Sequence, residues 1–435
     1  MNTIAEVRLW DTRIGAIQLI PGRDLGVFQY DKDFIASNIE LAPLLMPLAA
    51  TPYSFPELSK ETFHSLPGLL ADSLPDAFGN AVIQTWLAHQ GVPESEFNAI
   101  DRLCYTGTRG MGALEYYPLI EANQPSSVLH VDRLVELASQ VLETRKSMSV
   151  LFDPKDKDLD KQAFTQILQV GSSAGGARAK AVIAYNPKTH ETRSGQVPAP
   201  AGFEYWLLKF DGITGNGDKD VSDTKGFTLI EYAYSLLAKT CNITMAECRL
   251  FPENGRNHFM TKRFDRLDDG QKVHMQSLGS MAHFDYNLPD AYSYEQAFQV
   301  MSRLGFGQKT MEQFFRRMVF NIVARNQDDH VKNISFLMDR QGTWSLAPAY
   351  DLTYSYRPNS KWVSTHQMSM QGKRDQFSLE DFKECGKQVN LVRGRALTIV
   401  EEVCEAVKSW KDIAQNVGIE ERKTEYIYKQ FRLFK

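Results

Sequence analysis

The first 120 residues combine two patterns of hydrophobic positions. Short runs in which apolar and polar residues alternate predict an antiparallel sheet. These runs occupy residues 6–9, 16–19 and 26–30. From residue 63 to about residue 90 the apolar positions recur at helical spacing, with an interruption at Pro75. We therefore predict an N-terminal α+β domain over residues 1–120.

A glycine-rich turn leads into a strand near the end of this domain. Its glycines are Gly107, Gly110 and Gly112. Such a segment binds phosphate when its backbone N–H groups are accessible, but these glycines do not open a helix as they do in dinucleotide-binding motifs. We interpret the segment as a structural turn.

A second glycine-rich segment, residues 169–180, runs directly into an apolar strand predicted at 181–185. Its small residues leave backbone N–H groups accessible to phosphate oxygens. It is not a Walker A loop, because no Gly-Lys-Ser/Thr sequence follows. The residues alone leave two interpretations open, a phosphate-binding loop and the tip of a hairpin.

The next apolar strand, predicted at residues 205–210, carries a lysine near its end. A buried cation is costly unless an anion meets it, so we expect Lys209 to contact ATP phosphates or an acid. Glu231, at the start of an apolar helix, is the candidate acid. The alternative is a lysine at the sheet edge whose ammonium reaches solvent.

Two further strands and a set of helices follow. The strands are predicted at residues 248–251 and 259–264, and residues 262–266 are interpreted as a hinge between two lobes. The composition then becomes helical. The predicted helices lie at about 311–325, 379–389 and 392–411.

An acidic loop follows the first of these helices. It contains Asp328 and Asn333, and a predicted hairpin (residues 334–346) returns Asp351 beside Asn333. A carboxylate that accepts a hydroxyl proton, with an amide oxygen and a second carboxylate that bind Mg²⁺, is an arrangement for phosphoryl transfer. Each residue alone is a common turn former. Their order predicts a protein-kinase-like site.

Composition limits the class of protein. The chain has 435 residues, is 43% hydrophobic and carries a net charge of −4, which is ordinary for a globular protein and does not indicate a nucleic-acid binder. Its five cysteines are widely spaced and form no metal-binding pattern, so we expect reduced thiols. The N-terminus lacks the pattern of a signal peptide, and no run reaches the length of a membrane span. These features predict a cytoplasmic protein.

Five motifs together resemble one known family. They are residues 173–180, Leu208-Lys209-Phe210, residues 263–266, residues 328–333, and Tyr350-Asp351. In this order they resemble the HipA family of bacterial serine/threonine kinases over nearly the whole chain. The resemblance implies an α+β fold with a two-lobed protein-kinase-like core. The expected domains are the N-terminal α+β domain (1–120), a mixed-β N-lobe (121–265) and a helical C-lobe (266–435).

The resemblance also implies a role for individual residues in ATP- and Mg²⁺-dependent phosphorylation of a protein serine or threonine. Asp328 would be the catalytic base, and Asn333 and Asp351 the Mg²⁺ ligands. His330 and Lys332 would shape the catalytic loop and contact phosphates. The remaining ATP contacts would come from the glycine-rich segment, the strand lysine and the hinge backbone. These residues are Ala174, Gly175, Gly176, Ala177, Arg178, Lys180, Lys209, Lys262, Arg263 and Phe264.

Members of this family are toxins of type II toxin-antitoxin pairs. The resemblance therefore implies a DNA-binding, HipB-like antitoxin as partner, so that contact with DNA is indirect. It also implies a protein substrate such as an aminoacyl-tRNA synthetase, whose phosphorylation slows translation. Autophosphorylation of Ser173, or of the adjacent Ser172, would place about two negative charges near the γ-phosphate and switch the kinase off by repulsion.

Two other functions use the same residues. A hydrolase would bind two metals and activate water against a phosphodiester, with Asp328, Asp329, His330 and Asp351 as the candidate ligands. That function leaves Lys209 and the glycine-rich segment unexplained. A non-catalytic protein would bind ATP and act as a corepressor with its antitoxin. Asp329 stands where some family members have glycine, so it either assists metal binding or faces away.

Overall fold

The structure is a computed structural model that describes residues 2–120, 129–146, 178–213, 217–218, 221–222 and 225–434. The glycine-rich segment before Arg178, which includes the predicted sites Ser172, Ser173, Ala174, Gly175, Gly176 and Ala177, lies outside the described residues. The chain divides into two compact units. Unit 1 comprises Met1–Lys225, Phe251–Gln276 and Met338–Thr343, and unit 2 comprises Gly226–Leu250, Ser277–Leu337 and Trp344–Lys435.

Unit 1 begins with a four-stranded antiparallel sheet. Its strands are β1 (Ile4–Leu9), β2 (Thr12–Leu19), β3 (Gly26–Tyr30) and β4 (Leu114–Tyr117), in the order β3-β2-β1-β4. Buried and more exposed positions alternate along β1 and β3, as expected for strands with one face on a core. The three strands predicted before residue 31 are confirmed.

The helices of unit 1 are mostly short. They are α1 (Lys32–Ile35), α2 (Lys60–Phe63), α3 (Gly68–Ala71), α4 (Ala77–Gln90), α5 (Ala99–Thr106) and α6 (Val131–Lys146), with a 3₁₀ turn at Glu94–Glu96. The helical pattern predicted from residue 63 is therefore divided more than expected. His64 adopts a left-handed conformation (φ 49°) that ends α2, and Pro67 precedes α3.

A second sheet contains the predicted strand lysine. The strands β5 (Lys180–Tyr185), β6 (Thr192–Ser194), β7 (Glu204–Lys209), β10 (Cys248–Glu253) and β11 (Arg256–Lys262) are ordered β6-β5-β7-β11-β10. The strands outside this sheet are β8 (Gly217–Asp218), β9 (Val221–Ser222) and β12 (His274–Ser277). The strand predicted at 259–264 begins earlier and ends at Lys262. Strand β10 extends past the predicted end at residue 251 and includes Pro252, whose missing N–H is tolerated because β10 lies at the sheet edge.

One hydrophobic core joins the second sheet to helices α4 and α6. Phe78 and Val82 of α4 pack in the same buried cluster as Leu134 of α6, Ile183 of β5 and Trp206 of β7. Sequences on both sides of residue 120 therefore contribute to a single core. The domain boundaries at residues 120 and 265 stay predictions.

A buried ion pair reinforces this core. Lys180 Nζ on β5 lies 2.8 Å from Asp76 Oδ2, and both side chains are almost completely buried. The other carboxylate oxygen of Asp76 accepts the Gly79 N–H at 2.7 Å and so caps α4. Asp76 thus fixes the start of a helix and neutralises a buried cation at the same time.

Unit 2 is largely helical. Its helices are α7 (Phe227–Thr240), α8 (Leu278–Ala282), α9 (Tyr294–Arg303), α10 (Gln308–Val323), α11 (Leu379–Gln388), α12 (Arg395–Ala406), α13 (Trp410–Val417) and α14 (Glu421–Gln430), with 3₁₀ turns at Val331–Asn333 and Val407–Ser409. The helix predicted at 392–411 is divided by the turn at Val407–Ser409. The predicted helices near 311–325 and 379–389 are confirmed by α10 and α11.

The hairpin predicted after the acidic loop is also confirmed. Its strands are β13 (Ser335–Met338) and β14 (Trp344–Leu346). The Ala347 N–H donates to the Ser335 carbonyl at the open end, and the Gly342 N–H donates to the Asp339 carbonyl at the tip. Among the described residues, no helix has the length and apolar character to cross a bilayer.

We predict that Asp76→Asn destabilises the protein by about 3–5 kcal/mol, because it preserves the helix cap but removes the carboxylate charge that lies 2.8 Å from the buried Lys180 ammonium. The double variant Asp76→Asn/Lys180→Met also removes the ammonium charge and should regain much of the loss. Urea unfolding followed by tryptophan fluorescence measures both. Asp24→Asn, in an exposed pair with Lys60, is the matched control and should unfold like wild type. Equal stability of Asp76→Asn and Asp24→Asn would contradict the prediction.

Candidate phosphoryl-transfer site

The acidic loop starts from a fixed point at the end of α10. After Val323 the chain turns through Arg325, whose φ is 58°, and both backbone and side chain of Asn326 bond back to Asn321. The two bonds measure 2.9 Å each, from Asn326 N to the Asn321 carbonyl and from Asn326 Nδ2 to Asn321 Oδ1. The buried helix therefore sets where the loop begins.

Asp328 presents a carboxylate that is held on one side. Its Oδ1 accepts the amide hydrogen of Gln367 Nε2 at 2.8 Å and lies 4.0 Å from His330 Nε2. About a quarter of the Asp328 side chain is exposed. An accessible carboxylate with one anchored oxygen is suited to accept a proton from a hydroxyl.

Asn333 is oriented by the backbone of the same loop. Its Nδ2 donates to the Asp328 carbonyl at 3.0 Å, and its N–H donates to the His330 carbonyl at 2.9 Å. Because the amide nitrogen is used in this bond, the amide oxygen is left as the group that can bind a cation. Amide oxygens are among the ligands that Mg²⁺ and Ca²⁺ accept.

The base of the hairpin lies beside this loop. The Tyr350 hydroxyl donates to the Lys332 carbonyl at 2.8 Å and is 2.6 Å from the Ser335 hydroxyl. The next residue, Asp351, has φ 57°, a left-handed conformation that is uncommon for residues other than glycine, asparagine and aspartate. The sequence-predicted residues Asp328, Asn333 and Asp351 therefore come from one loop and the hairpin end next to it. Their oxygen donors suit Mg²⁺.

Asp329 faces away from this group and into the interior. Its Oδ2 accepts from the Tyr294 hydroxyl at 2.6 Å and lies 2.8 Å from His366 Nδ1, and its Oδ1 accepts the Gln367 N–H at 2.8 Å. Burial alone would raise the pKa of the Asp329 carboxyl, but its interactions with His366, Tyr294 and Gln367 outweigh burial and hold that pKa below its usual value. Asp329 thus anchors the loop in the protein interior. Both of its carboxylate oxygens have protein partners, which argues against Asp329 as a metal ligand of a hydrolase.

His330 and Lys332 project toward an aromatic side chain. The Lys332 ammonium lies 4.9 Å from the centre of the Tyr286 ring, and the rings of Tyr286 and His330 are 6.1 Å apart. A cation above an aromatic face is favourable, so Tyr286 helps to hold both side chains of the loop. Their contact with phosphate stays a prediction.

The predicted ATP ligands of unit 1 lie on or next to the second sheet. Lys209 ends β7, opposite Lys180 on β5 and Phe259 on β11, and its ammonium lies 6.0 Å from the Phe259 ring centre. Lys209 and Glu231 are both buried, but they belong to different units, and their pairing stays a prediction. Lys180 forms an ion pair with Asp76, and Arg178 is partly exposed.

The segment predicted as the hinge, residues 262–266, contains a buried cluster of charged side chains. Arg263 forms two hydrogen bonds to the buried Asp265, at 2.9 and 2.7 Å, and Arg266 forms another at 2.9 Å. Burial would raise the pKa of the Asp265 carboxyl, but the two guanidinium groups outweigh burial and hold it well below its usual value. Lys262 contacts Glu204 at 3.3 Å, and Phe264 is partly exposed.

This charged cluster holds the glycine-rich turn of the N-terminal sheet. The Gly112 N–H donates to Asp265 Oδ2 at 2.7 Å, and Arg266 donates to the Gly112 and Gly110 carbonyls at 2.9 and 3.0 Å. Gly112 has φ 74°, and a Cβ there would lie 2.9 Å from the Met275 nitrogen, so no other residue fits. The interpretation of this turn as structural is confirmed.

Sequence reasoning missed three residues that shape these sites. Gln367 and His366 lie in a segment without regular structure, and Asp76 pairs with a lysine more than 100 residues away. No local pattern marks any of them. Only the preference of buried charges for partners would have suggested that Lys180 needed an acid.

A mixed α+β fold with an acidic loop between a buried helix and a hairpin defines a protein of the kinase-like class. Two protein families match the chain: the HipA N-terminal domain over residues 5–117 and the HipA-like C-terminal domain over residues 172–411. The second match covers more than half of the sequence. The chain therefore belongs to the HipA family, as the motifs predicted.

Two curated proteins are similar to parts of the chain. The candidate kinases Y4mE and Y4dM of Sinorhizobium fredii are 30% identical over 190 residues and 35% identical over 95 residues, respectively. These matches cover 39% and 21% of this chain. They span 44% and 22% of the relatives, so the chain matches less than half of the length of either.

A solved structure is similar over almost the entire chain. It is HipA of Shewanella oneidensis MR-1, from a complex of a toxin-antitoxin system with HipB and operator DNA. The match covers 98% of this chain and 94% of that one, with a TM-score of 0.67 and 16% sequence identity. This likeness shows the fold, and the predicted α+β, protein-kinase-like fold class is confirmed.

We predict that Asp265→Asn lowers the free energy of unfolding at neutral pH by about 3 kcal/mol, because two buried arginines lose their counter-charge. The pKa of Asp265 is lower in the folded than in the unfolded protein, so its contribution is complete above the unfolded value of about 4 and decreases as pH falls below it. The difference between variant and wild type should therefore shrink from about pH 4 downward in urea titrations. Asp268→Asn, at an exposed position three residues later, is the control. A pH-independent difference would contradict the prediction.

Proposed function

We propose that this protein is an ATP- and Mg²⁺-dependent serine/threonine protein kinase, and that it acts as the toxin of a toxin-antitoxin pair. The observation that carries the proposal is the arrangement of Asp328, Asn333 and Asp351. A partly exposed carboxylate, an oriented amide and an aspartate in a left-handed conformation lie on one loop and the adjoining hairpin end. Membership of the HipA family and the kinase names of two relatives support it.

Catalysis rests on positioning and on charge neutralisation. Asp328 orients the hydroxyl of the acceptor serine or threonine and takes its proton as the phosphoryl group is transferred. Asn333 and Asp351 would hold Mg²⁺, which offsets negative charge on the phosphates when it is bound. His330 and Lys332 bring further positive charge or hydrogen-bond donors to the same loop.

The other ATP ligands would be those that the family resemblance implies. Lys209 binds phosphate with its ammonium, and the backbone of residues 262–264 contacts the adenine. Arg178 and the glycine-rich segment before it cover the phosphates, as the resemblance implies. Phosphorylation of Ser173 or Ser172 in that segment adds charge that opposes ATP binding, and so regulates the kinase.

The proposed partner is a DNA-binding antitoxin of the HipB type. The solved HipA of S. oneidensis occurs with HipB and operator DNA, which supports the same assembly for this chain. The toxin would act in the cytoplasm on a protein such as an aminoacyl-tRNA synthetase and so slow translation. Its own contact with DNA would be indirect, through the antitoxin.

We predict that Asp328→Asn lowers phosphoryl transfer to background, a loss of about 10²–10⁴-fold, because the proton acceptor is gone. The fold and ATP binding should be retained, since asparagine has the same shape. Transfer of radiolabel from ATP to the protein itself and to lysate proteins measures the activity. Asp412→Asn, an exposed aspartate on α13, is the matched control and should transfer at the wild-type rate.

Two results would contradict this proposal. Wild-type activity in Asp328→Asn would remove the residue from the role of base. Nucleotide binding by wild type without transfer to any protein would show a corepressor rather than a kinase, and cleavage of nucleic acid would show a hydrolase.

We predict that Asp351→Asn weakens ATP binding in a Mg²⁺-dependent manner, because one carboxylate ligand of the metal is lost. Calorimetric titration with ATP at increasing Mg²⁺ concentrations should show a clear deficit that excess Mg²⁺ reduces. Without Mg²⁺ the variant and wild type should bind ATP alike. An unchanged affinity across the Mg²⁺ series would exclude Asp351 as a ligand.

A further inference from the structure

Gln367 contacts Asp328 from a distant part of the chain. It lies 39 residues after Asp328, in a stretch without helix or strand, yet its Nε2 donates to Asp328 Oδ1 at 2.8 Å. The side chain is buried, with only 4% of the residue exposed. An irregular segment that delivers one buried amide to a carboxylate must itself be fixed by other contacts.

The backbone of Gln367 is held on both sides. Its N–H donates to Asp329 Oδ1 at 2.8 Å, and its carbonyl accepts the Asp290 N–H at 3.1 Å. The flanking residues continue this pairing, because Ser369 and Tyr294 bond through their backbones at 2.9 Å. The position of the Gln367 Cα is therefore set by two different parts of unit 2.

The residue before it is fixed through its ring. His366 Nδ1 lies 2.8 Å from Asp329 Oδ2, and its Nε2 lies 3.2 Å from Arg432 Nη1. A guanidinium can only donate, so Nε2 must accept and the ring proton lies on Nδ1, from which it is donated to Asp329. The Asp329 carboxylate is thus bonded to the side chain of His366 and to the backbone N–H of Gln367.

The direction of the Gln367 amide follows from its partner. A carboxylate only accepts, so the nitrogen of the amide must face Asp328. Gln367 Oε1 is buried and has no hydrogen-bond partner within the described residues. Within the described residues, the Gln367 amide is therefore oriented by its hydrogen bond to Asp328.

We propose that Gln367 is a positioning residue for the transfer reaction. By occupying Oδ1 of Asp328 it fixes the carboxylate rotamer and leaves Oδ2 to accept the proton of the acceptor hydroxyl. Asp329, Asp290 and His366 hold the backbone from which it acts. The inference rests on the proposed function, because it assigns to Gln367 the orientation of the proposed base.

The test compares three variants in the full-length protein. Gln367→Met keeps the volume but removes the donor, and Gln367→Glu keeps the shape but faces Asp328 with a like charge. Gln388→Met, at an exposed glutamine on α11, is the control. Steady-state transfer of radiolabel from ATP to lysate protein gives kcat and the KM for ATP, and calorimetry gives ATP affinity.

We predict that Gln367→Met lowers kcat by about 10–100-fold with less than a twofold change in the KM for ATP, because a misplaced base slows the step without altering nucleotide contacts. Gln367→Glu should be slower still. Gln388→Met should match wild type in both constants.

The outcomes separate this inference from the proposed function. If wild type transfers phosphate, Asp328→Asn does not, and Gln367→Met keeps the wild-type kcat, the positioning role is overturned and the kinase stands. If Gln367→Met lowers ATP affinity and the midpoint of thermal unfolding together with kcat, its role is structural and the inference is also overturned. If wild type transfers nothing, the proposed function fails and the inference fails with it.

Discussion

The geometry of the candidate site depends on the buried carboxylate of Asp329. A charged group in the interior is costly, and this one is stabilised by three donors from two parts of unit 2, helix α9 and the segment that contains His366 and Gln367. Its neighbour Asp328 is the residue that remains accessible. Asp329 therefore anchors the loop so that its neighbour Asp328 can face outward.

Unit 1 uses buried ions in the same way. Asp76 with Lys180, and Asp265 with Arg263 and Arg266, neutralise one another within the core or beside the N-terminal sheet. The motif residues Lys180 and Arg263, which the family resemblance associates with nucleotide binding, thus have structural partners in this fold. A charged residue in a motif does not by itself indicate contact with a ligand.

The sequence predicted those features that depend on local periodicity and turn chemistry. Strands β1 to β3, helix α10 and the hairpin after Asn333 follow from spacing within a few residues. The features that it did not predict depend on partners far along the chain. Nothing near Asp329 shows that it faces His366, and nothing near Gln367 shows that it reaches Asp328. Helix α2 ends at His64, whose conformation is left-handed, and β11 ends at Lys262, two residues before the predicted end of that strand. The glycine-rich segment before Arg178 lies outside the described residues, so both of its interpretations stand.

The hydrogen bond between Asp265 and the Gly112 turn has a consequence for folding during synthesis. The two residues are 153 positions apart, and the turn carries the last strand of the N-terminal sheet. A nascent chain that has emerged only as far as residue 120 lacks the side chains that neutralise and tether this turn. The hydrogen bonds that hold this turn can therefore form only after synthesis has passed Arg266, so residues 1–120 alone cannot bring the N-terminal sheet to its final state.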